Sequence, residues 1–157
     1  MIKADNANQT VFYSKLYPPT RAAIQHETTQ EYQSTDLVVI VVRPPNHLTD
    51  VNVYDQHYVD YCNYSWYKPS TNPTGVAGLV VCYHLTRQNE CEKHELRITI
   101  DWMQTHTRKG QQTIACHEFG HTLGLNHNPG HATCIKDLSY ARPHISAHDR
   151  HAINSHY

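Results

Sequence analysis

Residues 117–127 read His-Glu-Phe-Gly-His-Thr-Leu-Gly-Leu-Asn-His, and their spacing constrains the chain more than any other feature. Histidines four apart face the same way on a helix, with Cβ atoms about 5–6 Å from each other, so His117 and His121 pair only if this stretch is helical. His127, six residues past His121, cannot share that face, and the chain has to leave the helix and fold back. Gly124 is the residue best able to take the left-handed conformation such a return needs. Three imidazoles gathered this way suit one zinc ion and leave its fourth position open, the pattern of a catalytic rather than a structural site. Glu118 projects beside the pair, where a carboxylate can take a proton from zinc-activated water.

Fourteen histidines in 157 residues make accidental patterns common. An H-E-x-x-H core alone is expected in about 5% of shuffled chains, and adding the glycine and third histidine at fixed offsets lowers this to roughly 10⁻⁴. The pairs His127/His131 and His144/His148 are also four apart, but neither first member is followed by glutamate. Those read as solvated surface histidines.

The rest of the chain predicts a single α/β domain over residues 1–157, a length suited to one core. Val11–Leu16 reads as a strand stopped by Pro18-Pro19, and residues 20–32 as a helix that those prolines open. The run Leu37-Val38-Val39-Ile40-Val41-Val42 predicts a strand buried on both faces, completing a βαβ unit. Alternation over 50–55, 76–84 and 95–101 predicts three further strands, with an irregular loop over 56–75. A helix over about 108–124 carries the histidines and ends on Gly124. A last helix starts at Ser146, with Asp149 as a capping-box acid.

Net charge is −1, which gives no basic field for nucleic acid, and no apolar run is long enough to span a membrane. Residues 1–5 lack an apolar signal core, so the expectation is either a mature secreted chain given a start Met or one that is not exported. Five cysteines without a C-x-x-C pair argue against a thiolate zinc site. Two disulfides and one leftover thiol in an oxidising compartment is the preferred reading, and five buried reduced thiols the alternative.

The eleven residues 117–127 resemble the extended zinc motif of the metzincins, closest to the matrixin-like branch. The resemblance implies a zinc endopeptidase with a mixed five-stranded sheet and about three helices, the second long one carrying the motif. It also implies His117, His121 and His127 as zinc ligands, Glu118 as general base, and a protein or peptide substrate lying along the strand near Gly78–Cys82. The segment 95–102 and the stretch Ile145-Ser146-Ala147-His148-Asp149 with Ile153 and Tyr157 are similar to the family's last strand and final helix. Small secreted bacterial members carry cysteines just before the first ligand and just before the Met-turn methionine, and Cys116 and Cys134 stand at those places. The expected disulfides are Cys82–Cys91 and Cys116–Cys134, which also close the shortest local loops and leave Cys62 free. Ile135 stands where the family has methionine, and Asp137 where astacins have tyrosine. A monomer is expected. The alternative function is a catalytically weak or inactive zinc-binding module on the same scaffold.

Overall fold

The computed structural model describes residues 2–13, 15–45, 48–136 and 142–157; Asp137 lies outside them. The elements in chain order are β1 (Asn8–Tyr13), α1 (Pro18–His26), β2 (Val38–Val41), β3 (Val51–Gln56), β4 (Asp60–Tyr61), β5 (Tyr64–Ser65), β6 (Gly78–Leu85), β7 (Cys91–Thr99), α2 (Ile100–Thr105), α3 (Arg108–Thr122) and α4 (Ala147–Asn154). The main sheet is five-stranded in the order β2-β1-β3-β7-β6. β2, β1, β3 and β7 pair in parallel, and β6 joins β7 antiparallel. This is the expected mixed five-stranded α/β fold. The short α2 raises the α-helices to four, because residues 100–101, assigned by alternation to the last strand, already belong to that helix.

Alternation puts Val11, Tyr13, Val51, Val53, Leu96 and Ile98 of the sheet into the core, against Ala23 and Ile24 of α1 and Ile114, Ala115 and Phe119 of α3. Tyr32 joins the layers, its ring packed at a tilt against Phe119 with centroids 5.0 Å apart and its hydroxyl donating to the Cys116 carbonyl at 2.7 Å.

Two expectations need correction. The apolar run at 37–42 is not buried on both faces: β2 lies at the sheet edge, with Val38 and Ile40 each 50% exposed. A β-branched run reports strand propensity, whereas a strand's place in the sheet follows from the crossover that delivers it. The helix expected over 20–32 also stops early, passing at Glu27–Glu31 into a π-type turn and then a 3₁₀ turn at Tyr32–Ser34. Thr28 and Thr29 donate their hydroxyls to the carbonyls of Ile24 (3.0 Å) and Gln25 (2.7 Å), competing for the acceptors that hold a helix at its normal pitch.

The widened turn buries Glu27 beside Glu31. Burial first, and the Glu31 charge second, pushes the Glu27 carboxyl up from 4.5 to about 9. Its Oε1 meets His26 Nδ1 at 2.9 Å and its Oε2 has no partner. Between those two values the folded state holds a proton that the unfolded chain has lost, so this group's contribution makes stability fall as pH rises through that window. Glu27→Gln removes the titration. The melting temperature of the variant should therefore exceed the wild type's at about pH 8 by more than at about pH 5. Parallel melting curves across that range would show that Glu27 does not hold its proton.

Candidate metal centre

Thr107 caps the start of α3, its side chain accepting from the Gly110 amide. At the other end Gly124 takes φ +83°, and Leu123, Gly124 and Leu125 donate their amides back to Gly120 and His121 at 3.1 Å. The chain reverses there and carries His127 back to the helix face that holds His117 and His121. A Cβ at Gly124 would also fall 2.7 Å from that of Lys3, so both backbone conformation and space call for glycine.

The three Nε2 atoms converge, at 3.0 Å for His117–His121, 3.1 Å for His117–His127 and 3.2 Å for His121–His127. Hydrogen bonding does not account for the His117–His121 contact. His117 donates Nδ1–H to the Cys134 carbonyl at 2.8 Å, and His121 donates Nδ1–H to the Leu125 carbonyl at 2.7 Å. A neutral imidazole with its proton on Nδ1 has only a lone pair on Nε2, so the lone pairs of His117 and His121 point at one another. Burial, and then the nearness of His117, pulls His121 down to about 3 and favours its neutral form. Facing lone pairs are stabilised by a cation between them, and a tetrahedral ion bound at about 2.0–2.1 Å spaces its nitrogens roughly 3.3–3.4 Å apart. The donor set therefore fits a metal ion, and three imidazoles fit zinc among others.

Both expected disulfides are present. Cys82–Cys91 joins β6 to β7 with Cα atoms 5.8 Å apart, and Cys116–Cys134 has Cα atoms 5.9 Å apart; Cys62 is free and exposed. The second bond matters here because Cys134 also supplies the carbonyl that orients His117. Next along the chain, Ile135 is fully buried against Gly120, where a Cβ would fall 2.3 Å from its Cδ1. It thus packs on the backbone between His117 and His121. Asn128, just past His127, donates its amide to the Ile135 carbonyl at 3.2 Å. Asp149 draws the same segment to α4, accepting from Thr133 and from the Ser146 amide and hydroxyl; burial raises its carboxyl, but those hydrogen bonds outweigh burial and hold it low. A second histidine group, His94 with Cys82 and Cys91, does not offer three ligands, because its sulfurs form the first disulfide.

The cluster opens into a cleft of about 460 Å³ lined by β6, Tyr64 and α3. Glu118 is buried at its base, 4% exposed, and burial pushes its carboxyl up to about 8. A cation among the imidazoles acts the other way and favours the carboxylate. Glu118 lies against β6 where there is no side chain, since a Cβ on Gly78 would fall 2.5 Å from its Oε1. His131 and His148 stack at 4.6 Å, and His144 pairs with Glu31 at 3.0 Å, so of the two histidine pairs set aside in the sequence only His127 joins the cluster. The sequence reading placed Gly78 at the start of the substrate strand but missed the room it makes for Glu118, and it missed Gly120 and the carbonyls of Leu125 and Cys134. Of these features only Gly120 carried a signal, as a glycine within a helix. No protein-family model matches this chain, and no curated protein matches it.

Equilibrium dialysis against zinc should give one tightly bound ion per chain. His117→Ala, His121→Ala and His127→Ala should each weaken binding at least about tenfold, the lower scale for disturbed metal sites. Undiminished binding in His127→Ala would remove the returning loop from the site.

Proposed function

We propose that the chain is a secreted, zinc-dependent endopeptidase of the metzincin type, nearest in its motif to the matrixin-like branch. The observation that carries this reading is a buried carboxyl group, Glu118, beside three imidazoles with convergent Nε2 atoms at the base of an open cleft. A metal site that only holds the fold together has no use for such a group. Zinc held by His117, His121 and His127 supplies Lewis acidity at the reacting carbonyl. Glu118 takes the proton of the attacking water and returns it to the leaving amine.

The strand β6 offers the substrate a place to lie. It is the outer strand of the sheet, paired with β7 on one side only. The Ala77 carbonyl accepts from the Thr99 amide, and with Gly78 opposite Ile98 the alternation of an antiparallel ladder leaves Gly78, Val80 and Cys82 with outward amides and carbonyls. An extended peptide can add there as a further strand, passing over Glu118. Two disulfides fit an oxidising compartment, and no described helix is long and apolar enough to cross a membrane.

Hydrolysis of unfolded casein, abolished by chelator and restored by zinc, is the expected activity. Glu118→Gln should keep the zinc and lower turnover by at least about 10²-fold, the scale of a lost general base. Turnover at the wild-type rate in that variant would exclude Glu118 as the base. Gly78→Ala should also lower turnover at unchanged zinc content, because its methyl displaces the carboxylate; full activity would show that Glu118 works from another position. Zinc binding with no cleavage of any unfolded protein would favour the alternative, a zinc-binding module without catalysis.

A further inference from the structure

The Cys82–Cys91 disulfide has a histidine beside it. Register pairs Cys82 of β6 with His94 of β7, and a ring nitrogen of His94 lies within 4.8 Å of both sulfurs. His94 is 1% exposed, and its Nδ1 has no hydrogen-bond partner among the described residues. An idle polar atom so deeply buried is a cost to the fold.

The backbone keeps these groups together without help from the disulfide. Cys91 donates its amide to the Lys3 carbonyl at 2.7 Å, and its own carbonyl accepts from the Asp5 amide at 3.2 Å. His94 donates its amide to the Asp50 carbonyl at 2.7 Å, and the β6–β7 ladder holds Cys82 opposite it. The cysteine Cα atoms are 5.8 Å apart. On a tetrahedral zinc ion two sulfurs and a nitrogen stand about 3.5–3.8 Å from one another, a spacing that side-chain rotation reaches with this backbone in place. The two disulfides also differ in exposure. Cys82 is partly exposed and lines a hollow of about 220 Å³ with Ile2, Val80 and His94, whereas Cys116 and Cys134 are fully buried. A reductant therefore reaches the first bond before the second.

We propose that Cys82, Cys91 and His94 form a second metal site, closed while the disulfide stands and opened by its reduction to take one zinc ion on two thiolates and an imidazole. A thiol reductant supplies two electrons and two protons to the sulfurs and leaves as its own disulfide; zinc then displaces the two thiol protons to solvent. Either state ties β6 to β7, covalently under oxidising conditions and through the ion under reducing ones. The inference is independent of the peptidase reading.

Cobalt(II) distinguishes the two sites, because a thiolate ligand gives an intense near-ultraviolet charge-transfer band and imidazoles do not. The test uses Cys62→Ser protein, reduced with dithiothreitol and freed of it by anaerobic gel filtration, with peptide mapping to identify the opened bond. It should bind two cobalt ions per chain, the second with the thiolate band, and the oxidised protein should bind one without it. His94→Gln should weaken the second ion at least about tenfold. Cys82→Ser should abolish the band and leave the first ion bound. One ion in the reduced protein, a second ion without the band, or undiminished affinity in His94→Gln overturns the proposal. So does a band that survives in Cys82→Ser, which would belong to Cys116 and Cys134. Should His94→Gln not fold, X-ray absorption on reduced His117→Ala with one equivalent of zinc decides the same point. Two sulfurs at about 2.3 Å together with an imidazole nitrogen support the site, and sulfur without imidazole overturns it.

Discussion

The carbonyl oxygens of Cys134 and Leu125 accept the Nδ1 protons of His117 and His121, and the chemistry of the centre depends on that arrangement. Fixing the protons on Nδ1 turns both Nε2 lone pairs inward, towards His127 Nε2 at 3.1–3.2 Å. Without those acceptors the rings could share protons with one another, and the cluster would be an ordinary histidine network. With them, the electrostatic demand for a cation is built into the backbone. Such outer partners set ligand orientation and tautomer in metal sites generally.

Each carbonyl is held in turn by a separate device. Leu125 follows the reversal at Gly124, whose positive φ sends the chain back across the end of α3. Cys134 is bonded to Cys116, the residue before His117, so the carbonyl and the imidazole it orients are tied through one disulfide. Ile135 packs on the α3 backbone at Gly120, and Asp149 holds Thr133 from the start of α4. Together these contacts tie the centre to the helix, the returning loop and the last helix, with the sheet beneath α3 as the common support.

What the sequence made legible was local. The spacing of His117, His121 and His127 with Gly124 between them specifies a helix and a return whatever the rest of the chain does. The Ser146–Asp149 capping box likewise depends on one turn of backbone and appears as expected. The disulfides followed from short loops. Position within the sheet was not legible: the apolar residues of β2 suggested burial, yet the strand lies at the edge with Val38 and Ile40 half exposed. The π-type turn after α1 was hidden because threonine hydroxyls compete with backbone bonding only in a particular rotamer and context. Gly78 carried no cue to its contact with Glu118, which lies some 40 residues further along the chain and is adjacent only after folding. Backbone carbonyls have no sequence signature, so the features that orient the ligands were the least visible of all.

The central claim, three imidazoles on one metal ion, is tested most directly by zinc K-edge X-ray absorption on the protein loaded with one equivalent of zinc. Three nitrogen scatterers with imidazole outer shells at about 2.0–2.1 Å, plus one oxygen, are the expected result. Sulfur at about 2.3 Å, or a shell of oxygens alone, would contradict it by placing the ion on cysteines or surface carboxylates instead of His117, His121 and His127.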